Sequence, residues 1–372
     1  MPPNESEPIR RSIEVEYWVV DEAGRLTDPG PLVDAAPGVE REFVEPVLEI
    51  KTTPCESTAQ LRTELFDRLH QVLERADETG MGLVPLATPI NHEEIRELES
   101  ERTQIQNRAI GENFEYVRHC AGTHIHVEQQ PGHVVDQLNT FIALDPALAL
   151  VNSSPYFRGR RVTAGARSEL YRRMAYADLE HQGQLWPYVD AVDDWDRRLE
   201  QRYEEFLTAA LEAGVDRTAV EKHFDPESAV WTPVQLRAEF STVEWRSPDA
   251  TLPSQIVRVA DRLATIVERL VDCEVRIEGE RGVVTDDAIV LPTFDAVCDY
   301  VDAAIRDGLT PPVRSYLERM GFDVDAYEPV TAAIDGRRDV SVSAARRIRT
   351  QYADRLESDV RNGVSNIDEQ FA

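Results

Sequence analysis

Apolar and polar residues alternate along "SIEVEYWVV" (12–20) and again along "FVEPVLEIKTT" (43–53), the period-2 pattern of half-buried strands. The turn-rich "DEAGRLTDPGP" follows the first of them. The period changes in "STAQLRTELFDRLHQVLERADETG" (57–80), where Leu61, Leu65, Leu69, Val72 and Leu73 fall on one helical face. Ser57 and Gln60 form a capping-box pattern before that helix, and Gly80 supplies a C-cap after it. Strand patterns return at 82–88, at "GTHIHVEQ" (122–129) and at 241–247, and 134–154 reads as a helix bent at Pro146. The second half is mainly helical, with long amphipathic segments at 190–214 and 254–272 and further helices at 293–307, 310–320 and 341–360. No helix separates the first two strands, so they pair antiparallel. The pattern predicts an α+β fold: an antiparallel sheet covered on one face by helices.

Charge adds a second constraint. Acidic residues number 69 against 40 basic ones, a net of −29, and only Lys51 and Lys222 among the basic residues are lysines. The acidic excess runs along a chain that is 42% hydrophobic, which excludes a disordered acidic tail and fits a halophilic protein kept soluble in molar salt. No basic stripe with interleaved aromatics is present, so nucleic acid is not an expected partner. No apolar run reaches membrane-spanning length, and "MPPNESEPIRR" (1–11) reads as a disordered lead before one catalytic domain over 12–372. Cys55, Cys120, Cys273 and Cys298 lie far apart without a CxxC pair, which points to a reducing, cytoplasmic setting. Cys55 reads as a small core residue.

Strand parity brings out the chemistry. Glu14 and Glu16 share a face with Trp18; Glu45, Glu49 and Lys51 share one; so do His124, His126 and Glu128, and Glu244 with Arg246. Each strand has one apolar face and one bearing metal-ligand types. Side chains at i and i+2 stand about 7 Å apart on a strand, close enough to share one metal or to hold neighbouring ones. Oxygen-rich ligation with an occasional imidazole suits Mg²⁺ or Mn²⁺. His-x-His also opens the zinc site of amidohydrolase barrels, but the other histidines fall mostly in helical or loop-like stretches. No Walker A loop or GxGxxG fingerprint is present, so a nucleotide would be held by metals and arginines. The arginine-rich loop 153–173, with Arg158 and Arg167 among its guanidinium groups, is the candidate phosphate- and carboxylate-binding segment.

Five motifs in fixed order carry a resemblance: Glu14-x-Glu16, "VLEIKTTPC" (47–55), "GTHIHVE" (122–128), "NSSPYFRG" (152–159) and "TVEWRSPD" (242–249). Over residues 12 to 270 the chain resembles the glutamate–cysteine ligase type 2 family of carboxylate–amine ligases, and its acidic, lysine-poor composition is most similar to the haloarchaeal members. The resemblance implies a glutamine-synthetase-like curved antiparallel sheet with helices on the convex face and ATP with divalent metals on the concave one. Carried over by motif, Glu14, Glu16, Glu49, His124 and Glu244 are metal ligands and Arg246 faces the transferred phosphoryl group. The implied reaction joins L-glutamate to L-cysteine through a γ-glutamyl phosphate, a step of thiol biosynthesis. A ligase with another amine acceptor and a non-catalytic nucleotide sensor are the alternatives. Ser12, where the family commonly has glycine, and the stretch after "FRG" depart from the pattern; the second bears on amino-acid specificity.

Overall fold

The computed structural model describes residues 8–371, apart from 93 and 337. In chain order the strands are β1 Arg11–Asp21, β2 Val39–Arg41, β3 Val47–Lys51, β4 Met81–Val84, β5 Thr123–Glu128, β6 Tyr156–Phe157, β7 Arg160–Arg161, β8 Val234–Arg237 and β9 Thr242–Trp245. Three more, β10 Glu274–Ile277, β11 Val283–Val284 and β12 Ala288–Leu291, form a small separate sheet. The main sheet runs β2-β3-β1-β5-β9-β8, with β4 on the outer half of β1, and every pairing in it is antiparallel.

One face of this sheet is the core. Ile13, Val15 and Tyr17 of β1, Leu48 and Ile50 of β3, Ile125 and Val127 of β5, and Val243 and Trp245 of β9 are all buried. The helices Thr58–Thr79, Val134–Leu144 and Pro253–Glu268 pack on it. The first of these starts as its sequence dictates: Ser57 Oγ accepts the Gln60 N–H at 3.1 Å, and Gly80 closes the helix at φ +66°. The capping box is only half formed, because the Gln60 side chain accepts from Glu56 N–H instead of Ser57.

Several expected boundaries shift for local reasons. The strand expected over 43–53 is cut to β3, because Pro46 has no N–H to give and the chain turns there, Val47 N–H closing on the Val44 carbonyl at 3.2 Å. Glu45 is thereby carried off the strand face, and its backbone N–H and carboxylate both meet Arg96. The helix expected over 134–154 ends at Leu144, and Asp145–Leu150 continues as a 3₁₀ turn around Pro146. The final helix is longer than expected, Val342–Phe371. Residues 1–7 of the expected lead lie outside the described residues. Its last three belong to the fold: Ile9 is buried, Arg10 pairs with Glu128, and Arg11 begins β1 with its guanidinium on Glu268 at 2.8 Å.

Candidate active site on the open face of the sheet

Opposed residues of an antiparallel pair project from the same face with Cβ atoms about 4.5–5.5 Å apart. The observed register therefore lines up rows across strands. Glu40, Glu49 and Glu16 form one row; Lys51, Glu14 and His124 the next; Ser12, His126, Glu244 and Gln235 the third. All five expected metal ligands come to this face, on four different strands.

Two clusters result. Glu16, Glu42 and Glu49 each place an oxygen within 4.8 Å of the others. Glu42 comes from the turn between β2 and β3, off any strand parity. Only the Pro46 turn, which folds that segment back toward the face, could have signalled it in the sequence. Burial, then the charges of Glu14 and Glu16, push Glu49 up to about 7 against the pull of Lys51 Nζ 2.8 Å away. Glu42 is raised well above the usual carboxylate range by burial and by Glu16 and Glu49. Glu16 is fixed from behind, its carboxylate accepting the Gly122 N–H at 2.6 Å.

The second cluster mixes carboxylate and imidazole. His124 Nδ1 lies 3.5 Å from Glu14 and 3.2 Å from Glu244, and His126 Nε2 lies 3.9 and 3.7 Å from the same two. His126 Nδ1 pairs with Thr242 Oγ1 at 3.0 Å, which turns Nε2 toward the carboxylates, where it has no hydrogen-bond partner. Burial alone would raise Glu14, but its hydrogen bond to His124 and the neighbouring positive groups bring it to about 2. Glu244 reaches about 2 in spite of burial, chiefly through Arg246, then His126, His124 and Arg237. Burial lowers His126.

The donors fit divalent metal. Three converging carboxylates, two of them held toward protonation by burial and then by mutual repulsion, and a buried unpartnered imidazole nitrogen facing two carboxylates are what a hard cation would satisfy.

Two cavities flank the clusters. One, of about 220 Å³, includes Glu16 and His124 and is walled by Arg102, Arg237, Arg246, Tyr171 and Trp231. The other, of about 230 Å³, includes Glu14 and His126 and is bounded by Lys51 and the exposed ring of Phe240. Roomier recesses at Arg160–Asp339 and along 188–204 are shallow charged troughs on other elements. Arg246 lines the first of these cavities. Its Nε is 3.4 Å from Glu244, its Nη1 donates to Gln235 at 3.0 Å, and the guanidinium lies 5.9 Å from the Trp231 ring.

Arg158, Arg161, Arg167 and Arg172 of the loop 153–173 meet partners within the protein. Neither Arg158 nor Arg167 lines either cavity. Arg158 pairs with Glu115 at 2.7 Å. Arg167 is 1% exposed and donates Nη1 to the carbonyls of Arg246, Ser247 and Pro248. Arg172 is buried on Asp145 and Ser247, and Arg161 pairs with Asp335. Arg167 and Arg172 are buried with their guanidinium groups on partners of the same fold, whereas Arg158 and Arg161 stay at the surface in ion pairs. Sequence reasoning also missed Gln235 and Arg237 on β8, a four-residue strand too short to show its period.

Comparison with known proteins gives the chain a family and a fold. The family model Glutamate-cysteine ligase family 2 (GCS2) matches residues 12–368. A protein of Mycobacterium sp. (strain JLS), provisionally named glutamate–cysteine ligase 2-1, is 28% identical over 47% of this chain and 49% of its own. One of Frankia casuarinae with the same provisional name is 23% identical over 62% of this chain and 56% of its own. The chain thus spans about half the length of the curated relatives it matches. Among solved structures, a bifunctional glutathione synthetase from Pasteurella multocida superposes with a TM-score of 0.56 at 14% identity, over 95% of this chain and 53% of that one. The fold is the expected glutamine-synthetase-like α+β class.

Proposed function

The chain belongs to the glutamate–cysteine ligase family 2, and on that premise we propose that it joins the γ-carboxylate of L-glutamate to the amine of L-cysteine at the expense of ATP. The observation that carries this reading is the convergence, on one sheet face, of two ligand clusters with Arg246 beside a cavity.

A carboxylate has no leaving group that an amine can displace. In the proposed sequence a γ-carboxylate oxygen attacks the terminal phosphorus of ATP, ADP departs, and γ-glutamyl phosphate forms. The cysteine amine then attacks the acyl carbon, and phosphate leaves with one of the original carboxylate oxygens. Both partners of the first step are anions, so the protein's task is charge neutralisation and alignment. Mg²⁺ or Mn²⁺ held by Glu16, Glu42 and Glu49, and by Glu14, His124, His126 and Glu244, would supply the neutralisation of the phosphates. Arg246 presents its guanidinium to the transferred group, oriented by Glu244 and Gln235. Arg102, Arg237 and Lys51 add positive potential on a face that a net −29 would otherwise make hostile to ATP. The Tyr171 and Trp231 rings form part of the wall of the first cavity, where they would limit water at the acyl phosphate.

Residues 12–372 act in this proposal as one catalytic domain, the last helix packing on Thr58–Thr79 and β4. No helix among the described residues is long and apolar enough to cross a membrane, and the four cysteines are unpaired, which supports the cytoplasm as the proposed site of action.

Incubation with ATP, Mg²⁺, glutamate and cysteine in molar KCl, followed by mass analysis, is expected to give ADP and γ-glutamylcysteine. ADP formed only with a different amine would replace the acceptor. No nucleotide turnover would overturn the ligase reading.

A further inference from the structure

Arg167 makes contacts that a phosphate- or carboxylate-binding role does not account for. Its Nη1 donates to three consecutive carbonyls, those of Arg246 at 3.0 Å, Ser247 at 3.1 Å and Pro248 at 3.3 Å. Three carbonyl oxygens turned toward one point repel each other, and a buried cation is what keeps them there. These carbonyls belong to the segment that carries Arg246 away from the end of β9.

The flat face of the same guanidinium lies against Gly122. A Cβ at that position would collide with its Nη2, Cζ and Nε atoms. Gly122 needs no positive φ, so this close approach is what its missing side chain serves. Its N–H in turn holds the Glu16 carboxylate at 2.6 Å. The two segments are stitched together just beyond, Thr123 N–H donating to the Pro248 carbonyl at 2.9 Å. The remaining side of the guanidinium faces the Tyr171 ring, 4.7 Å from its centroid. One buried group therefore touches the backbone that carries Arg246 and the backbone that holds Glu16.

We infer that Arg167 is a positioning residue, setting the placement of Arg246 relative to Glu16 without itself meeting substrate. This rests on the proposed ligase reading, in which Arg246 faces the phosphoryl group and Glu16 belongs to a metal cluster. A lost guanidinium relaxes the 246–248 carbonyls, and misplacement of a reacting group by about 1 Å costs on the order of 100-fold in rate.

The test compares wild type, Arg167→Met, Arg167→Lys, Gly122→Ala and the Gly122→Ala/Arg167→Met pair, each scored per folded molecule by ADP release. Leu263→Ala, which opens a hole in the core behind the sheet, serves as a destabilised control. Arg167→Met is expected to lose roughly 100-fold in kcat with KM for ATP and glutamate little changed, and Arg167→Lys to recover part of it. Gly122→Ala keeps every charge but displaces the guanidinium, and it should lower kcat in the same way. The double variant should be no slower than Arg167→Met alone, since both remove one contact. Rates that fall only with the folded fraction, as in Leu263→Ala, or effects that multiply in the double variant, would overturn the inference. If Arg167→Met does not fold, Gly122→Ala and Arg167→Lys decide by the same criterion. A wild type without turnover would instead overturn the ligase reading, and this inference with it.

Discussion

Glu49 and Glu14 stand on adjacent strands of one face, yet their surroundings drive them in opposite directions: burial beside other carboxylates raises Glu49 to about 7, and imidazole contacts lower Glu14 to about 2. Linkage turns this into a pH signature. In metal-free protein the stabilisation from Glu49 is fully present below its ordinary value of 4.5 and is lost as pH rises through about 7. Glu14 and Glu244 contribute above 4.5, and that contribution is lost as pH falls toward about 2. Between about pH 4.5 and 7 the metal-free wild type is therefore expected to lose stability relative to Glu49→Gln, a variant that should also abolish turnover. Added Mg²⁺ should restore stability most at the alkaline end, where the carboxylates are free to bind it. A wild-type curve that runs parallel to that of Glu49→Gln across this range would count against the clustering. Arg246→Ala should cost on the order of 100- to 1,000-fold in rate with little change in melting, because Arg237 still pairs with Glu244. Unfolding of that variant, with activity per folded molecule intact, would make the group a structural ion pair. At this scale parity made Glu14, Glu16, Glu49, His124 and Glu244 legible, since period 2 assigns a face whatever the tertiary context. Glu42 was not legible, because a turn and not a strand delivers it, nor were the carbonyl contacts of Arg167, because composition does not say which carbonyls reach a guanidinium.

Elements were legible in proportion to their length. The helix 58–79 and the helix Pro253–Glu268 emerged from apolar spacing, as did β1 and β5, whereas β2 and β8 are too short to display a period. Prolines set the errors at β3 and at the 145–150 turn. The C-terminal third, featureless in the sequence beyond its helices, has a structural role that only packing reveals. Gly363 in the helix Val342–Phe371 lies so close to the Phe66 ring that a Cβ there would collide with it, which lets this helix approach Thr58–Thr79 behind the sheet. Gly363→Ala should destabilise by about 1–3 kcal/mol, read from the denaturant midpoint, because Phe66 is fully buried and has nowhere to move. Activity per folded molecule should stay at the wild-type level; an unchanged midpoint would show that the two helices are not held in this contact.

For the molecule as a whole, composition and site make opposing demands. A net of −29 disfavours a polyanionic substrate, and the site answers locally with Lys51, Arg102, Arg237 and Arg246 on one face. Because self-repulsion is screened as the Debye length shrinks to roughly 3 Å at 1 M salt, the melting temperature is expected to rise with KCl into the molar range. A protein equally stable in dilute buffer would not be adapted to salt. Overall architecture was the most legible feature, since alternation, helix spacing and the lack of a helix between the first strands leave few ways to bury the apolar faces. What the open face does was legible only as a set of residue types, because the register that aligns Glu16 with Glu49 and His126 with Glu244 exists only in the folded sheet. The central claim is that this face transfers a phosphoryl group to a carboxylate before the amide forms. Glutamate labelled with ¹⁸O in its γ-carboxylate, incubated with ATP, Mg²⁺ and cysteine, tests it directly by mass analysis of the released phosphate. One labelled oxygen per phosphate is the expected result; unlabelled phosphate, with the displaced labelled oxygen found in water or AMP instead, would contradict it.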